Sequence, residues 1–202
     1  MNDSKKIVFN KFTFFMDKNV YEPAEDTFLL AENLQVAEED VALDVGTGCG
    51  IFAIISAEKA KQVVAIDVNP HAVKCAKRNA KINNVSNKIE FIIGDLFKPL
   101  REGKKFSLIT FNAPYLPAED GERKDWIDYA WTGGPNGREL IDRFIENAPS
   151  YLNDKGRVLL IQSTLSNVDK TIKKFVEKGF EANIIAENKV MFEKIVLIEA
   201  IK

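Results

Sequence analysis

The chain has 202 residues, 46% of them hydrophobic, which is enough for one sizeable domain with a proper core. Its net charge of −2 and pI near 5.6 exclude an overall basic field that would draw in nucleic acid, leaving only a local patch open. Neither a signal-peptide run nor a stretch of membrane-span length is visible, and Cys49 and Cys75 lack metal-ligand spacing, so a reducing cytoplasm is the expected setting.

Ile7 to Phe15 is apolar and aromatic with partial alternation, and reads as a short strand or hairpin extending the N-terminus. Glu22-Pro23-Ala24 opens a helix, with proline near its first turn and acids early, running to about Gln35. From there strands alternate with helices. The strands fall near 41–46, 62–67, 88–94, 106–111 and 157–162, and the helices near 50–60, 70–83, 138–148 and 167–178. Asn69-Pro70 is a cap and first-turn pair for the helix carrying His71, Cys75 and Arg78. Two last strands, near 181–187 and 191–200, flank Asn188-Lys189 as an antiparallel hairpin. This alternation predicts an α/β fold with a doubly wound, mostly parallel sheet in a single domain, 1–202, with 1–36 as its N-terminal extension. The long irregular stretch from Ala113 to Asn136 holds Pro117, Gly121, Gly133, Gly134 and Pro135. Because it follows a strand end directly, 113–136 is expected to be a substrate-side flap.

Three points along this order carry chemistry. Val41-Ala-Leu-Asp44-Val-Gly46-Thr-Gly48-Cys-Gly50 is an apolar strand entering a glycine turn, where the backbone can approach a ligand and the next helix offers free N–H groups. Asp67, about 20 residues beyond the glycines, ends the next strand, where an acid can hold ribose hydroxyls. Asn112-Ala113-Pro114-Tyr115 closes the strand Phe106–Phe111. A side-chain amide oxygen and the next carbonyl there can hold an NH2 group by its hydrogens, with Pro114 stiffening the turn and Tyr115 offering a flat face. Taken singly, Asp67 could cap a helix and Asn112 could make an Asx-turn. Together their order points to chemistry on a nitrogen. The glycine spacing lacks the third glycine of the dinucleotide fingerprint, which disfavours a dehydrogenase.

The remaining residues have plainer readings. His71 and the Lys74-Lys77-Arg78-Lys81 set read as solvated, and Cys49 as a small apolar filler. Trp126, Tyr129 and Trp131 suit core packing and substrate contact equally. Glu119, Asp120, Glu122 and Asp125 make the flap acidic, which suits a basic protein loop better than a phosphate backbone.

These features in order resemble the class I S-adenosylmethionine-dependent methyltransferases. More closely, they resemble the archaeal and eukaryotic branch of the HemK-like protein-(glutamine-N5) methyltransferases, which modify the Gly-Gly-Gln loop of translation release factors. Val20-Tyr21-Glu22-Pro23-Ala24-Glu25-Asp26-Thr27, the glycine turn 44–50, Asn112 to Pro117 and Trp131-Thr-Gly133-Gly134-Pro-Asn-Gly137-Arg138 carry the likeness. The family usually has proline where Ala113 stands; the backbone carbonyl survives that change and some rigidity is lost. The resemblance implies a seven-stranded Rossmann-like sheet and S-adenosyl-L-methionine as cofactor. It sets Gly46, Gly48 and Gly50 near the methionine part with Asp44 around its amino group, Asp67 on the ribose, and Asp95, Leu96 and Val68 around adenine, with Thr27 also touching the cofactor. Asn112 and Ala113 would hold the target nitrogen, beside Pro114 and Tyr115. It further implies a release factor as substrate and a small zinc-binding activator as partner, added to a sheet edge or to the strand near Ile7–Phe15. Two other functions stay in view: methylation of a base amine in RNA or DNA, and a cofactor-binding subunit without turnover.

Overall fold

The computed structural model describes residues 5–118, 125–190 and 192–202. Its main sheet has seven strands: β3 (Val41–Val45), β4 (Gln62–Asp67), β5 (Ile89–Ile93), β6 (Phe106–Asn112), β7 (Leu152–Ser163), β8 (Glu181–Val190) and β9 (Glu193–Ile201). They lie in the order β5-β4-β3-β6-β7-β9-β8, parallel from β5 to β7, with β9 antiparallel to both β7 and β8. The chain works outward from β3 to β5 and returns to β6 on β3's other side. That reversal opens a crevice at the carboxyl ends of β3 and β6, the place where open α/β sheets bind ligands.

Strand residues alternate between two apolar layers. Ala42, Val63, Ala65 and Leu108 face α1 (Glu25–Asn33), α2 (Ile51–Lys59) and α3 (Pro70–Ile82). Leu43, Val45, Val64, Ile66, Ile109 and Phe111 face Ile141, Phe144 and Ile145 of α5 (Glu139–Tyr151) and Phe175 of α6 (Val168–Glu177). Both faces being covered explains the nearly unbroken apolar strands. Among the described residues no helix is long and apolar enough to cross a membrane.

At the N-terminus β1 (Lys6–Phe9) and β2 (Phe12–Phe15) pair only with each other. Two side-chain amides, one on α3 and one at its C-cap, supply the partner that β2 lacks. Asn79 Oδ1 accepts from Phe15 N and Asn83 Oδ1 from Thr13 N, each at 2.9 Å, and Asn83 Nδ2 donates to Thr13 O at 2.8 Å. Arg78 also donates to Phe15 O at 2.7 Å, so it is a latch rather than the solvated charge expected from its helix face.

The sequence expectations need three adjustments here. The first helix starts at Glu25, not Glu22, because the extended residue Ala24 is its N-cap and Pro23 lies before it. The strand expected at 157–162 reaches back to Leu152, which pairs with Phe106. The stretch 113–136 is more ordered than an irregular loop where it is described. It holds a short helix, α4 (Asp128–Trp131), and its two ends are stitched by Leu116 N to Trp131 O and Gly133 N to Leu116 O, both 2.9 Å. Glu119, Asp120, Gly121 and Glu122 lie outside the described residues.

Candidate cofactor and substrate cleft

A cleft opens above the ends of β3, β4 and β6. Its floor is the glycine turn. Gly46 and Gly48 both have positive φ, 66° and 56°, where a side chain is disfavoured. A Cβ on Gly48 would meet nothing closer than Gly46 O at 4.0 Å, so the turn leaves an open cradle at the cleft wall. Gly50 serves differently. It is the N-cap of α2 at φ 90°, and a Cβ there would stand 2.9 Å from Ala76 Cβ on α3. It sits off the cleft wall and allows two helices to close on each other.

Asp44, expected near a cofactor amino group, is also turned away from the cleft. It is fully buried, accepting from Thr47 Oγ1 at 2.6 Å, Thr110 Oγ1 at 2.9 Å and Ala53 N at 3.2 Å. Burial pushes its pKa up to about 7 against those three donors, with the Asp67 charge adding to the rise. It therefore braces the turn from beneath. Asp67 does stand on the wall. Its two oxygens accept from Gly48 N and Asn69 N at 2.9 Å each, leaving further lone pairs for a ligand's hydroxyls. Burial raises its pKa to about 6, above the ordinary carboxylate range.

Val68, Gly94, Asp95 and Leu96 form the adjoining wall. Asp95 was expected to accept from an adenine amine, but its Oδ2 is held in ion pairs with Arg143 at 2.6 Å and Lys98 at 2.8 Å. Those cations hold its carboxyl below the usual carboxylate value despite partial burial, and only Oδ1 is left for a ligand. Leu96, at φ 49°, is bent into the turn that brings it to the wall.

The opposite wall comes from the N-terminal segment and β6: Val20, Tyr21, Pro23, Thr27, Asn112 and Pro114. Here lies the feature that sequence reading missed. Asp26, 5% exposed, gathers five donors. Its Oδ1 accepts from Thr27 N at 2.6 Å and from Thr27 Oγ1 and Tyr21 OH at 3.1 Å; its Oδ2 accepts from Asn112 Nδ2 at 3.0 Å and Tyr115 OH at 3.3 Å. Burial and the Asp26 charge push the hydroxyls of Tyr21 and Tyr115 far above their ordinary value, so both stay protonated donors. Tyr115 thus points into this network, not onto the cleft wall. Ala113 is buried in the core below, so its backbone is what it has to offer. As a first-turn acid Asp26 looks like an ordinary helix-dipole residue. Nothing local could reveal that its partner stands 86 residues away.

Trp126, Tyr129 and Ala130, from the stretch after β6, also line the cleft. Trp126 lies 5.4 Å from Tyr129 and edge-on to His71 at 6.3 Å, so His71 is packed against the flap and not simply solvated. Trp131 meets Tyr21 edge-on at 6.0 Å. Among the described residues no His, Cys, Asp or Glu cluster could hold a metal ion.

Residues 11–127 match the family model for the methyltransferase small domain. A Methanocaldococcus jannaschii protein provisionally designated a protein N5-glutamine methyltransferase is 45% identical over 183 residues, covering 90% of this chain and 91% of that one. Human methyltransferase HEMK2 is 37% identical, covering 81% and 80%. The release factor glutamine methyltransferase of Aquifex aeolicus is 30% identical over 86% of this chain and 65% of its own length. Among solved structures, the Mtq2–Trm112 complex of E. cuniculi, described as methylating the termination factor eRF1, superposes with a TM-score of 0.71 at 24% identity, covering 91% of this chain and 99% of that chain, which bears on the fold. The chain belongs to the methyltransferase small domain family, within its HemK-like protein-(glutamine-N5) methyltransferases, class I enzymes that use S-adenosyl-L-methionine.

Proposed function

We propose that this chain methylates the side-chain amide nitrogen of the glutamine in the Gly-Gly-Gln loop of a translation release factor, acting in the cytoplasm. The observation that carries the proposal is the state of Asn112. Its amino end is tied to Asp26, which leaves Oδ1 as the end available to the cleft. That oxygen and the Ala113 carbonyl can accept both hydrogens of a substrate NH2.

The residues fit the cofactor: an open glycine cradle, a wall carboxylate with spare lone pairs at Asp67, and apolar Val68 and Leu96 for a flat ring. Thr27, Gly46, Gly48, Asp67, Val68, Leu96 and the free oxygen of Asp95 would hold it, and it supplies an electrophilic sulfonium methyl when bound. The chain's own contribution is orientation. An amide nitrogen is a poor nucleophile because its lone pair is delocalised. Fixing both N–H groups against acceptors aims that lone pair, and positioning of this kind supplies at most about 7–11 kcal/mol. The amide proton becomes acidic only as the N–C bond forms, so no base has to act beforehand. Pro114 limits the tilt of the acceptors, and 113–118 together with 125–136 would serve as the flap on the substrate side. A small zinc-binding activator is the further partner that the family suggests.

The test is transfer of labelled methyl from S-adenosylmethionine to a Gly-Gly-Gln release factor, beside tRNA, rRNA and duplex DNA, with mass spectrometry to place the label. Label on the glutamine, lost in Asn112→Ala while cofactor binding persists, is the expected result. Label on nucleic acid alone would move the chain to base-amine chemistry.

A further inference from the structure

We infer that Asp26 is the positioning residue that decides which end of the Asn112 amide faces the substrate. The inference rests on the orienting role of Asn112 proposed above. An asparagine amide is nearly symmetric in shape, yet its two ends do opposite things: the oxygen accepts and the NH2 donates. A substrate NH2 needs an acceptor. If the Asn112 amide turned over, it would present a second NH2 to the first, and the site would repel the group it has to aim.

The surroundings of Asp26 allow one orientation. A carboxylate only accepts, and Asp26 Oδ2 is 3.0 Å from Asn112 Nδ2. Turning the amide would place oxygen against oxygen at that distance in a buried setting, where unpaired polar contacts cost most. The other neighbours reinforce this sense. Thr27 N, Thr27 Oγ1 and Tyr21 OH all donate to Oδ1, while Tyr115 OH donates to Oδ2. Five donors converge on one carboxylate from α1, from the segment before it and from β6 with the turn after it. The carboxylate is thereby held in place by the scaffold, and it in turn holds Asn112.

A plain structural role for Asp26, bracing the start of α1, makes a different forecast, and isosteric exchange separates the two. In Asp26→Asn the new amide keeps its oxygen toward Thr27 N, a backbone donor with a fixed direction. Its NH2 must then face residue 112. Asn112 answers with its oxygen, and its own NH2 swings to the cleft. The fold and cofactor affinity are expected to survive, with kcat falling about 100-fold or more, the scale of losing one charge-placing hydrogen bond. The exchange variant Asp26→Asn/Asn112→Asp restores the match: the amide at 26 donates to the carboxylate at 112, whose second oxygen again faces the cleft as an acceptor. It should turn over at least about 10-fold faster than Asp26→Asn, part of the 100-fold returned. It should also exceed Asn112→Asp, in which two carboxylates oppose each other.

The experiment is kcat and KM on the release-factor substrate for wild type, Asn112→Ala, the two single exchanges and the double exchange, with calorimetric cofactor binding and thermal unfolding for each. Rescue in the double exchange supports the inference, and it can be read against Asn112→Asp even if Asp26→Asn folds poorly. Near-normal kcat in Asp26→Asn, or a double exchange no faster than the singles, overturns it while leaving Asn112 in its role, provided Asn112→Ala is inactive. A fully active Asn112→Ala overturns both ideas together.

Discussion

Substituting Gly50 by alanine should separate scaffold from site within the glycine turn. Two independent penalties apply. At φ 90° and ψ 14° an L-residue pays the left-handed cost of about 1–2 kcal/mol. The added methyl would stand 2.9 Å from Ala76 Cβ, 3.1 Å from Ala76 Cα and 3.3 Å from Ile54 Cδ1, an overpacking worth about 1–3 kcal/mol. Gly50→Ala should therefore lose about 2–5 kcal/mol of stability, the sum of those two ranges. Urea unfolding monitored by circular dichroism measures it. Removing the facing methyl with Ala76→Gly costs about 1 kcal/mol by itself through helix propensity. In that background Gly50→Ala should cost less than in the wild type, keeping the backbone share of about 1–2 kcal/mol and the milder contacts with the residue 76 Cα and Ile54 Cδ1. Cofactor affinity of whatever folds should stay close to wild type, because Gly50 is off the cleft wall. Gly48→Ala is the mirror case: its methyl meets open space, so stability falls by about 1–2 kcal/mol while cofactor binding suffers. The helix-closing account is refuted if Gly50→Ala costs the same in both backgrounds, or if it abolishes cofactor binding in a fully folded protein.

Four further outcomes are expected. Asp67, with its pKa raised to about 6, accepts ribose hydroxyls most strongly when ionised, so cofactor affinity should hold above pH 6 and weaken below it; calorimetric titrations from pH 5 to 8 should show this, and Asp67→Asn should bind weakly without that slope. Asp44 is raised to about 7 from 3.8, so its ionisation costs stability: protection is complete below pH 4 and falls as pH rises through 7, and Asp44→Asn should flatten that fall in unfolding curves. Asp40 and Asp142, held below the ordinary value, work in the opposite sense, contributing stability above pH 4 that is lost on acidification. Arg138, 3% exposed, donates to Ser166 O, Asn167 O and Thr171 Oγ1 and pairs with Asp142, so Arg138→Ala should cost about 3–5 kcal/mol in denaturant unfolding.

The sheet was legible because alternation and strand-end chemistry are local properties of a sequence. Gly48, Asp67 and Asn112 stand on the cleft wall, as turn and strand-end reasoning expects. What stayed hidden depended on distant partners. Asp44 and Gly50 look identical in kind to the wall residues, and only the hydroxyls of Thr47 and Thr110 and the methyl of Ala76 assign them to support. Asp95 reads as a ligand acceptor until Arg143, 48 residues on, occupies one of its oxygens. Asp26 reads as a helix-dipole acid until Asn112 is folded against it. The stretch 113–136 misled for a similar reason: its glycines suggested irregular chain, whereas Gly133 is required because a Cβ would lie 2.5 Å from Pro114 O.

The latched N-terminal hairpin has a consequence for biogenesis. β1 and β2 leave the ribosome early, but the amides that complete β2 belong to Asn79 and Asn83, 64 and 70 residues later. At about 5–20 residues per second, several seconds pass between the two segments. Through that interval Phe12 and Phe14, both buried in the finished fold, have no α3 to pack against. The nascent chain thus carries a sticky aromatic pair well ahead of its partner helix, an early client for chaperones that shield apolar segments. Slowing translation just before residue 84 would prolong that exposure, and speeding it would shorten it.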